Sequence, residues 1–186
     1  MDHTALAILI VAIVAIAVAG FWYYQRRRSE QLKGRFGPEY DRAINAFGDR
    51  KKAESELERR LKRSDRFQIH DLAAPERDRF AGEWRAQQAR FVDEPAEAVR
   101  QAHRLVNEVM HARGYPVSAE FTRNAEDLSA DHPRVVEHYR MACDVAERQK
   151  TGDVTTEDLR KAMMHYRVLF EELLGVRVMH SEEVRR

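Results

Sequence analysis

An uncharged apolar stretch near the N-terminus, Ala5–Tyr24, constrains this chain more than any other feature. It holds 20 consecutive residues without a charge, and ten of them are Leu, Ile, Val or Phe. A helix of this length rises about 30 Å, which matches the hydrocarbon core of a bilayer. The ten large apolar side chains favour insertion by about 3 to 6 kcal/mol. The stretch therefore predicts a transmembrane helix over residues 5–24, with Trp22, Tyr23 and Tyr24 as an aromatic belt at the membrane interface.

Basic residues follow this stretch at once, whereas the residues before it contain no Lys or Arg. Because Lys and Arg remain on the cytoplasmic side, residues 1–4 are predicted to form a short outside tail and the C-terminal mass to be cytoplasmic. Residues 25–37 form a basic juxtamembrane segment, in which each Lys or Arg contributes about 1 kcal/mol near an anionic leaflet. The predicted lipid-headgroup contacts are Arg26, Arg27, Arg28, Lys33 and Arg35.

A cleaved signal peptide is the rival interpretation of the same stretch. Ala17, Val18 and Ala19 resemble a small-residue cleavage site. A signal peptide, however, carries its basic residues before the apolar core, and here they come after it. The charge pattern therefore favours a retained single-pass anchor.

The remainder of the chain is large enough for one domain with its own core, since about 158 residues follow Arg28. Without Asp2 and the three arginines, the chain holds 29 basic and 30 acidic residues, a net charge of −1. A domain that binds nucleic acid carries a basic surplus. A nucleic-acid binder at the membrane surface is therefore the lowest-ranked function, and no nucleic-acid partner is expected.

Residues 38–66 are dense in charge and carry a narrow apolar seam. Pro38 suits the first turn of a helix, and the segment is predicted to be a charged, coiled-coil-like stalk helix. Because the seam is thin, the helix needs a partner, either in the same chain or in a second copy. The seam residues are Tyr40, Ile44, Phe47, Leu57 and Leu61.

Residues 75–175 show apolar residues at helical spacing, punctuated by Pro and Gly, and predict a helical bundle domain. Ser118 is expected to cap a short helix, and Thr155 with Asp158 resembles a capping box at the start of the last helix. Leu169 and Phe170 lie on the wide apolar face of that last helix. No strand pattern occurs, so the fold class is all-α, and residues 176–186 are expected to form a loose tail.

Residue types that carry chemistry do occur, but their positions favour structural roles. Glu108 and His111 form a single E-x-x-H string on the side of their helix opposite the apolar face, so they are expected to point to water. His138 and His165 lie at the edges of apolar faces, and Cys143 lies on an apolar stripe as a small core residue. No catalytic residue, metal site or cofactor is predicted, and an enzyme is the less favoured possibility.

An aromatic stripe at helical spacing, Phe80, Trp84 and Phe91, allows two interpretations. It could form a ligand platform, yet core packing requires the same spacing of four and seven residues. The core interpretation is preferred.

Several segments together resemble a family of uncharacterised bacterial single-pass membrane proteins. The resemblance covers nearly all of the chain from the apolar stretch to Gly175. It implies a bacterial inner-membrane (plasma-membrane) setting, and it implies no activity and no site residue. The segments that carry it are RFGPEYDRAI, FVDEPAEAV, GYPVSAEF, LSADHPRVVEHYR and HYRVLFEELLG.

Self-association is a further possibility. Ala12, Ala15 and Ala19 place small residues on one side of the apolar stretch, where they allow two helices to approach closely in lipid. A parallel homodimer would use this stripe and the stalk seam together, whereas in a monomer the stalk would pack on its own domain.

The sequence thus predicts a membrane-anchored cytoplasmic helical module that acts in interaction or scaffolding, with the lipid bilayer, an unknown protein partner and a possible second copy as partners. The alternative is an enzyme or ligand-sensing domain with a site assembled between helices. A deep polar pocket that holds His138, His165 or several arginines would favour the alternative, and an exposed apolar groove or a symmetric seam would favour the module.

Overall fold

The computed structural model describes the backbone of residues 3–175 and the side chains of residues 12–175. Within these residues every regular element is an α-helix and no strand occurs, which confirms the all-α class. The chain divides into two compact units, Met1–Glu58 and Arg59–Arg186. The helices are α1 (His3–Phe36), α2 (Pro38–Phe47), α3 (Arg50–Ser64), α4 (Ala74–Arg90), α5 (Pro95–Ala112), α6 (Phe121–Ser129), α7 (Val136–Thr151) and α8 (Thr156–Leu173).

The first unit contains α1, α2 and the start of α3. Helix α1 runs without interruption for 34 residues and includes the apolar stretch and the basic segment. Among the residues that the structure describes, no helix is long and apolar enough to cross a membrane. The side chains of residues 5–11 of the predicted transmembrane helix lie outside the described residues, as do residues 1–2 and the predicted tail over 176–186.

Two helices stand where the sequence predicts one stalk helix over residues 38–66. Gly48 takes a left-handed conformation with φ 64°, and its N–H donates to the carbonyl of Ile44, which closes α2. The Asp49 carboxylate then accepts a 2.8 Å hydrogen bond from the backbone N–H of Lys52 at the start of α3. This break interrupts the predicted seam: Tyr40 and Leu57 are buried, whereas Phe47 is 43% exposed.

The second unit begins at Arg59, earlier than the predicted bundle boundary at residue 75. The Arg63 guanidinium binds the buried Asp127 carboxylate at 2.6 Å, and the Ser64 hydroxyl donates to Asp131 at 2.8 Å. The last turns of α3 are thereby fixed to α6 and the loop after it.

The core of the second unit lies where α8 packs against α5 and α7, with α4 packed on α5. Leu169 and Phe170 are buried there, as predicted from the apolar face of the last helix. Phe80 and Trp84 are also buried, and the Trp84 ring stacks on Phe170 with 4.8 Å between ring centroids. The core interpretation of the aromatic stripe is therefore confirmed for these two residues.

Two capping predictions have different outcomes. The capping box at the start of α8 is confirmed, because Thr155 Oγ1 accepts from the Asp158 N–H and the Asp158 carboxylate accepts from the Thr155 N–H. Ser118 does not cap α6, which begins at Phe121 after Glu120. Instead its hydroxyl accepts a 3.1 Å hydrogen bond from the Glu120 N–H, in the turn that precedes the helix.

A tight crossing fixes the end of α5. Gly114 has φ 91°, and a Cβ at this position would come far inside van der Waals contact of the Gln68 carbonyl oxygen. The neighbouring Arg113 carbonyl accepts from the His70 N–H at 3.1 Å, and the Arg113 guanidinium donates to the Leu173 carbonyl at 2.9 Å. The segment after α3, the end of α5 and the end of α8 are thereby held together.

Candidate functional site

The predicted interface residues lie along one continuous helix, α1. Trp22, Tyr23 and Tyr24 are exposed by 66%, 57% and 66%, so more than half of each residue is open to its surroundings. Arg26 lies 5.8 Å from the centre of the Trp22 ring, and Arg27 lies 5.2 Å from the Tyr23 ring. The aromatic residues and the first two arginines therefore form one amphipathic collar around the helix.

The remaining basic residues of the segment have mixed surroundings. Arg28 makes a two-pronged ion pair with Glu58 of α3, which involves it in the fold of the first unit. Lys33 and Arg35 are exposed on the last turns of α1. The small residues Ala12, Ala15 and Ala19 are exposed as well.

A carboxylate cluster holds the three helices of the first unit together. Glu54 of α3 accepts hydrogen bonds from Ser29 of α1 at 2.6 Å, Tyr40 of α2 at 2.7 Å and Arg50 at 3.0 Å. Burial tends to raise the pKa of Glu54, but the hydrogen bonds from Ser29, Tyr40 and Arg50 outweigh it and hold this pKa below its ordinary value. Because these donors occupy the carboxylate, the cluster has a structural role.

A groove of about 620 Å³ lies next to this cluster, between α1 and α3. Its lining carries both signs of charge, with Arg26, Arg50 and Lys51 among the basic residues and Glu30 and Asp49 among the acidic ones. Arg26 and Glu30 form an ion pair of 3.2 Å within the groove wall.

The histidines singled out in the sequence fall into two groups. Glu108 and His111 are exposed, as predicted. His138 of α7 and His165 of α8 approach each other, with 2.9 Å between their Nδ1 atoms. Burial and the neighbouring His138 lower the pKa of His165. Among the described residues, no three His, Cys, Asp or Glu side chains come together as metal ligands.

Cys143 is 4% exposed inside the core of the second unit. Burial raises the pKa of its thiol to about 12, so the group is a neutral thiol at pH 7. A neutral, buried thiol is a poor nucleophile, in agreement with the structural role predicted for this residue.

The sequence-based predictions missed a cleft of about 420 Å³ in the second unit. It is bounded by the middle of α5, the first residue of α6 and the last turns of α7. Its lining combines basic, aromatic and amide groups: Arg100, His103, Arg104, Phe121, Ala146, Gln149 and Lys150. We call this feature the basic cleft.

His103 forms part of the inner wall of the basic cleft. Its ring meets Phe121 edge-on, with 4.9 Å between ring centroids. Nδ1 lies 3.0 Å from the Tyr166 hydroxyl, and Nε2 lies 3.0 Å from the Asn107 amide. Burial, followed by the nearby Lys150, lowers the pKa of His103 to about 4. The imidazole is therefore neutral at pH 7, and both of its nitrogens are occupied by protein groups.

Two proton arrangements satisfy these distances. In one, the Asn107 amide donates to Nε2, and Nδ1–H donates to Tyr166, whose hydroxyl points to the Cys143 sulfur 4.0 Å away. This arrangement leaves Asn107 Oδ1 buried without a partner among the described residues. Rotating the Asn107 amide by half a turn lets Oδ1 accept from Nε2–H and lets Tyr166 donate to Nδ1. After that rotation the Asn107 amide nitrogen occupies the buried position without a partner, so each arrangement leaves one polar atom of Asn107 unpaired among the described residues.

Sequence reasoning missed the basic cleft because its parts look ordinary one helix at a time. Arg100 and Arg104 are spaced by four residues and pair with Glu97, a pattern typical of a solvated helix face. The available signal was the position of His103 between these arginines, at the edge of the apolar face of α5. Phe121 and Lys150 come from α6 and α7, and only the packing of these helices brings them to the same cleft.

Comparison with known proteins gives no match to a family model, to a curated protein or to a solved structure. The resemblance to bacterial single-pass membrane proteins therefore stays a prediction.

Proposed function

We propose that this chain is a membrane-anchored helical interaction or scaffold module of the bacterial inner membrane. In this proposal α1 carries the anchor over residues 5–24, with the N-terminus outside and the second unit in the cytoplasm. The basic segment that follows the anchor sets this orientation.

The exposed apolar surface of α1 is the observation that carries the proposal. Ile16 and Val18 are exposed by 73% and 62% and lie on opposite sides of the helix, and Phe21, exposed by 64%, lies on the same side as Val18. A helix that is apolar on all sides suits a lipid environment better than water. Basic residues begin at Arg26, directly after the aromatic residues, which is the order expected where a helix leaves a bilayer.

Lipid-headgroup contact follows from the same arrangement. Arg26 and Arg27 extend from the collar on exposed sides of α1, and Lys33 and Arg35 continue the positive charge along the helix. Arg28 pairs with Glu58 and Arg26 pairs with Glu30, so these two charges contribute less than unpaired ones. The attraction to an anionic leaflet should be shared among the basic residues of the segment.

A second copy of this chain is the partner proposed for α1. Cysteine placed at Ala12 or Ala15, in a Cys143→Ala background, should cross-link under mild oxidation in membranes. Cysteine at Ile13 or Val14, on the other sides of the helix, provides the matched control. Equal cross-linking at all four positions, or none at any, would favour a monomer.

Ligand sensing is the second candidate function, and the basic cleft is the observation that favours it. The cleft contains two arginines, a lysine and a histidine, so it has the arginine-rich character expected of a ligand site between helices. Catalysis has less support, because the neutral Cys143 thiol lies buried in the core.

Membrane association is tested with the full chain in a bacterial host. The protein should sediment with membranes and resist extraction by alkaline carbonate. Replacing both Ile13 and Val14 by Arg costs about 5 to 7 kcal/mol of insertion free energy and should move the protein to the soluble or aggregated fraction. The control replaces the same two residues by Leu and should leave it in the membrane. Carbonate extraction of the unaltered chain would contradict the proposal.

A further inference from the structure

The basic cleft has the dimensions and composition of a small-molecule site. Its volume of about 420 Å³ lies within the range of about 300 to 1,000 Å³ typical of ligand pockets. It combines convergent cationic groups with an aromatic ring and a buried amide. We propose that it binds a small organic anion, whose anionic group meets Arg100, Arg104 and Lys150 and whose apolar part lies on Phe121.

The cationic side of the cleft comes from two helices. Arg100 and Arg104 lie one turn apart on α5, and Lys150 reaches the cleft from the last turn of α7. Guanidinium groups bind carboxylate and phosphate oxygens through paired hydrogen bonds, which makes arginine suited to either anion. Helices α5 and α7 thus present positive charge to one opening.

Two carboxylates balance two of the three positive charges of the cleft. Glu97 accepts from Arg100 at 2.5 Å and lies 3.3 Å from Arg104, and Glu147 accepts from Lys150 at 2.7 Å. These five groups leave one net positive charge. The pairs are solvent-exposed, with Arg100 and Arg104 exposed by 53% and 60%, so they are weak and a ligand anion can exchange for them.

The apolar side is formed by Phe121 and Ala146, beside the His103 ring. The Lys150 ammonium lies 5.4 Å from the centre of the Phe121 ring, so an anion at Lys150 would be close enough for an attached ring to stack on Phe121. His103 presents its ring and not its nitrogens, because Tyr166 and Asn107 occupy both nitrogens. It therefore shapes the cleft without adding charge at pH 7.

Gln149 also lines the cleft. Its Nε2 donates to the Ala96 carbonyl at 2.7 Å, which anchors the side chain across α5 and α7. Its Oε1 is buried and has no hydrogen-bond partner among the described residues. A buried acceptor of this kind is costly when unpaired.

The experiment uses the full chain in detergent, with phenylacetate and phenyl phosphate as probes and ligand-observed NMR or calorimetry as the readout. At least one anion should bind, and the neutral phenylacetamide should bind at least about tenfold more weakly because it lacks the charge-assisted contacts. Tighter binding of phenyl phosphate would assign the site to phosphate monoesters, and tighter binding of phenylacetate would assign it to carboxylates. Inorganic phosphate bound as tightly as phenyl phosphate would overturn the role of the apolar side.

Variants place the binding in the cleft. Arg100→Gln and Arg104→Gln should each weaken binding of the anion by about tenfold, and Phe121→Leu should weaken binding of the aromatic probes while keeping the core filled. The matched control is Arg160→Gln, since Arg160 is 53% exposed and pairs with Glu157 three residues earlier, as Arg100 does with Glu97. Equal affinity in all four variants, or no binding of either anion to the unaltered chain, would overturn the proposal.

Discussion

The two units of this chain are built on different physical principles. The first unit buries a small set of apolar side chains, Phe36 and Leu57 among them, and joins its three helices through the Glu54 carboxylate, the shared acceptor for Ser29, Tyr40 and Arg50. The second unit joins five helices around an apolar core that includes Leu169 and the stacked Trp84 and Phe170 rings. Burial of apolar surface is therefore more extensive in the second unit, whereas the first unit relies more on directed hydrogen bonds.

This difference indicates a division of roles. An apolar core gives a rigid framework, and its cleft can hold charged side chains in fixed positions. The first unit instead exposes apolar side chains of α1, which favour apolar surroundings. The proposed bilayer would supply those surroundings, in keeping with a role as an anchor.

Substitutions in the core of the second unit should have the largest effect. Leu169→Ala removes a fully buried side chain and should lower the free energy of unfolding by about 2 to 5 kcal/mol. Met164→Ala, on the exposed side of the same helix, is the matched control and should change it by less than about 0.5 kcal/mol. Denaturant unfolding followed by circular dichroism measures both. Equal losses of stability in the two variants would contradict the assignment of Leu169 to the core.

The crossing at Gly114 should give the next largest effect. Gly114→Ala places a methyl group against the Gln68 carbonyl and strains a residue with φ 91°, which together should cost about 2 to 4 kcal/mol. Gly82→Ala, at a helical position with open space around it, should be neutral or stabilising. The melting temperatures of the two variants check the prediction. A stable Gly114→Ala protein would mean that the segment after α3 is not held in this way.

Acidification should weaken the second unit through His103. Its pKa is about 4 in the folded chain and about 6.5 when unfolded. Between these values the unfolded state binds more protons, so stability falls as the pH drops below about 6.5, by about 1 to 3 kcal/mol at pH 4. His103→Gln should flatten this part of the pH profile, while the exposed His111→Gln should leave it unchanged. An unaltered profile in His103→Gln would contradict this assignment.

A substitution in the carboxylate cluster around Glu54 should change stability least, and its effect should be confined to the first unit. Glu54→Gln weakens hydrogen bonds to a charged acceptor and should cost about 1 to 2 kcal/mol. Hydrogen exchange should quicken in α2 and early α3 and stay unchanged in α8. Glu30→Gln, in an exposed ion pair on α1, is the control and should alter little. Faster exchange throughout α8 would mean that the two units do not differ as described.

The sequence predicted the second unit better than the first, for a physical reason. Leu169, Phe170, Phe80 and Trp84 follow a helical period because one face of each helix is buried, and that period is visible in the sequence. The Glu54 cluster has no period, since its members come from three helices and are matched by hydrogen bonding. The break at Gly48 was missed because the apolar spacing continues on both sides of it.

The basic cleft could not be predicted for a related reason. A charged face in water and a charged face at a binding site have the same composition, and they differ only in what other helices bring near. Phe121 and Lys150 lie far from Arg100 in the sequence, and the packing of α6 and α7 on α5 brings them together.

The central claim is that α1 anchors the chain with the second unit in the cytoplasm, and a topology measurement tests it most directly. Two reporters are fused separately after Arg186 in a bacterial host: a fluorescent protein that matures in the cytoplasm and an alkaline phosphatase that needs the periplasm. The account predicts fluorescent membranes and no phosphatase activity. Replacing Arg26, Arg27 and Arg28 by Gln should lower this asymmetry, because the orienting charge is reduced. Phosphatase activity at the C-terminus of the unaltered chain would contradict the account.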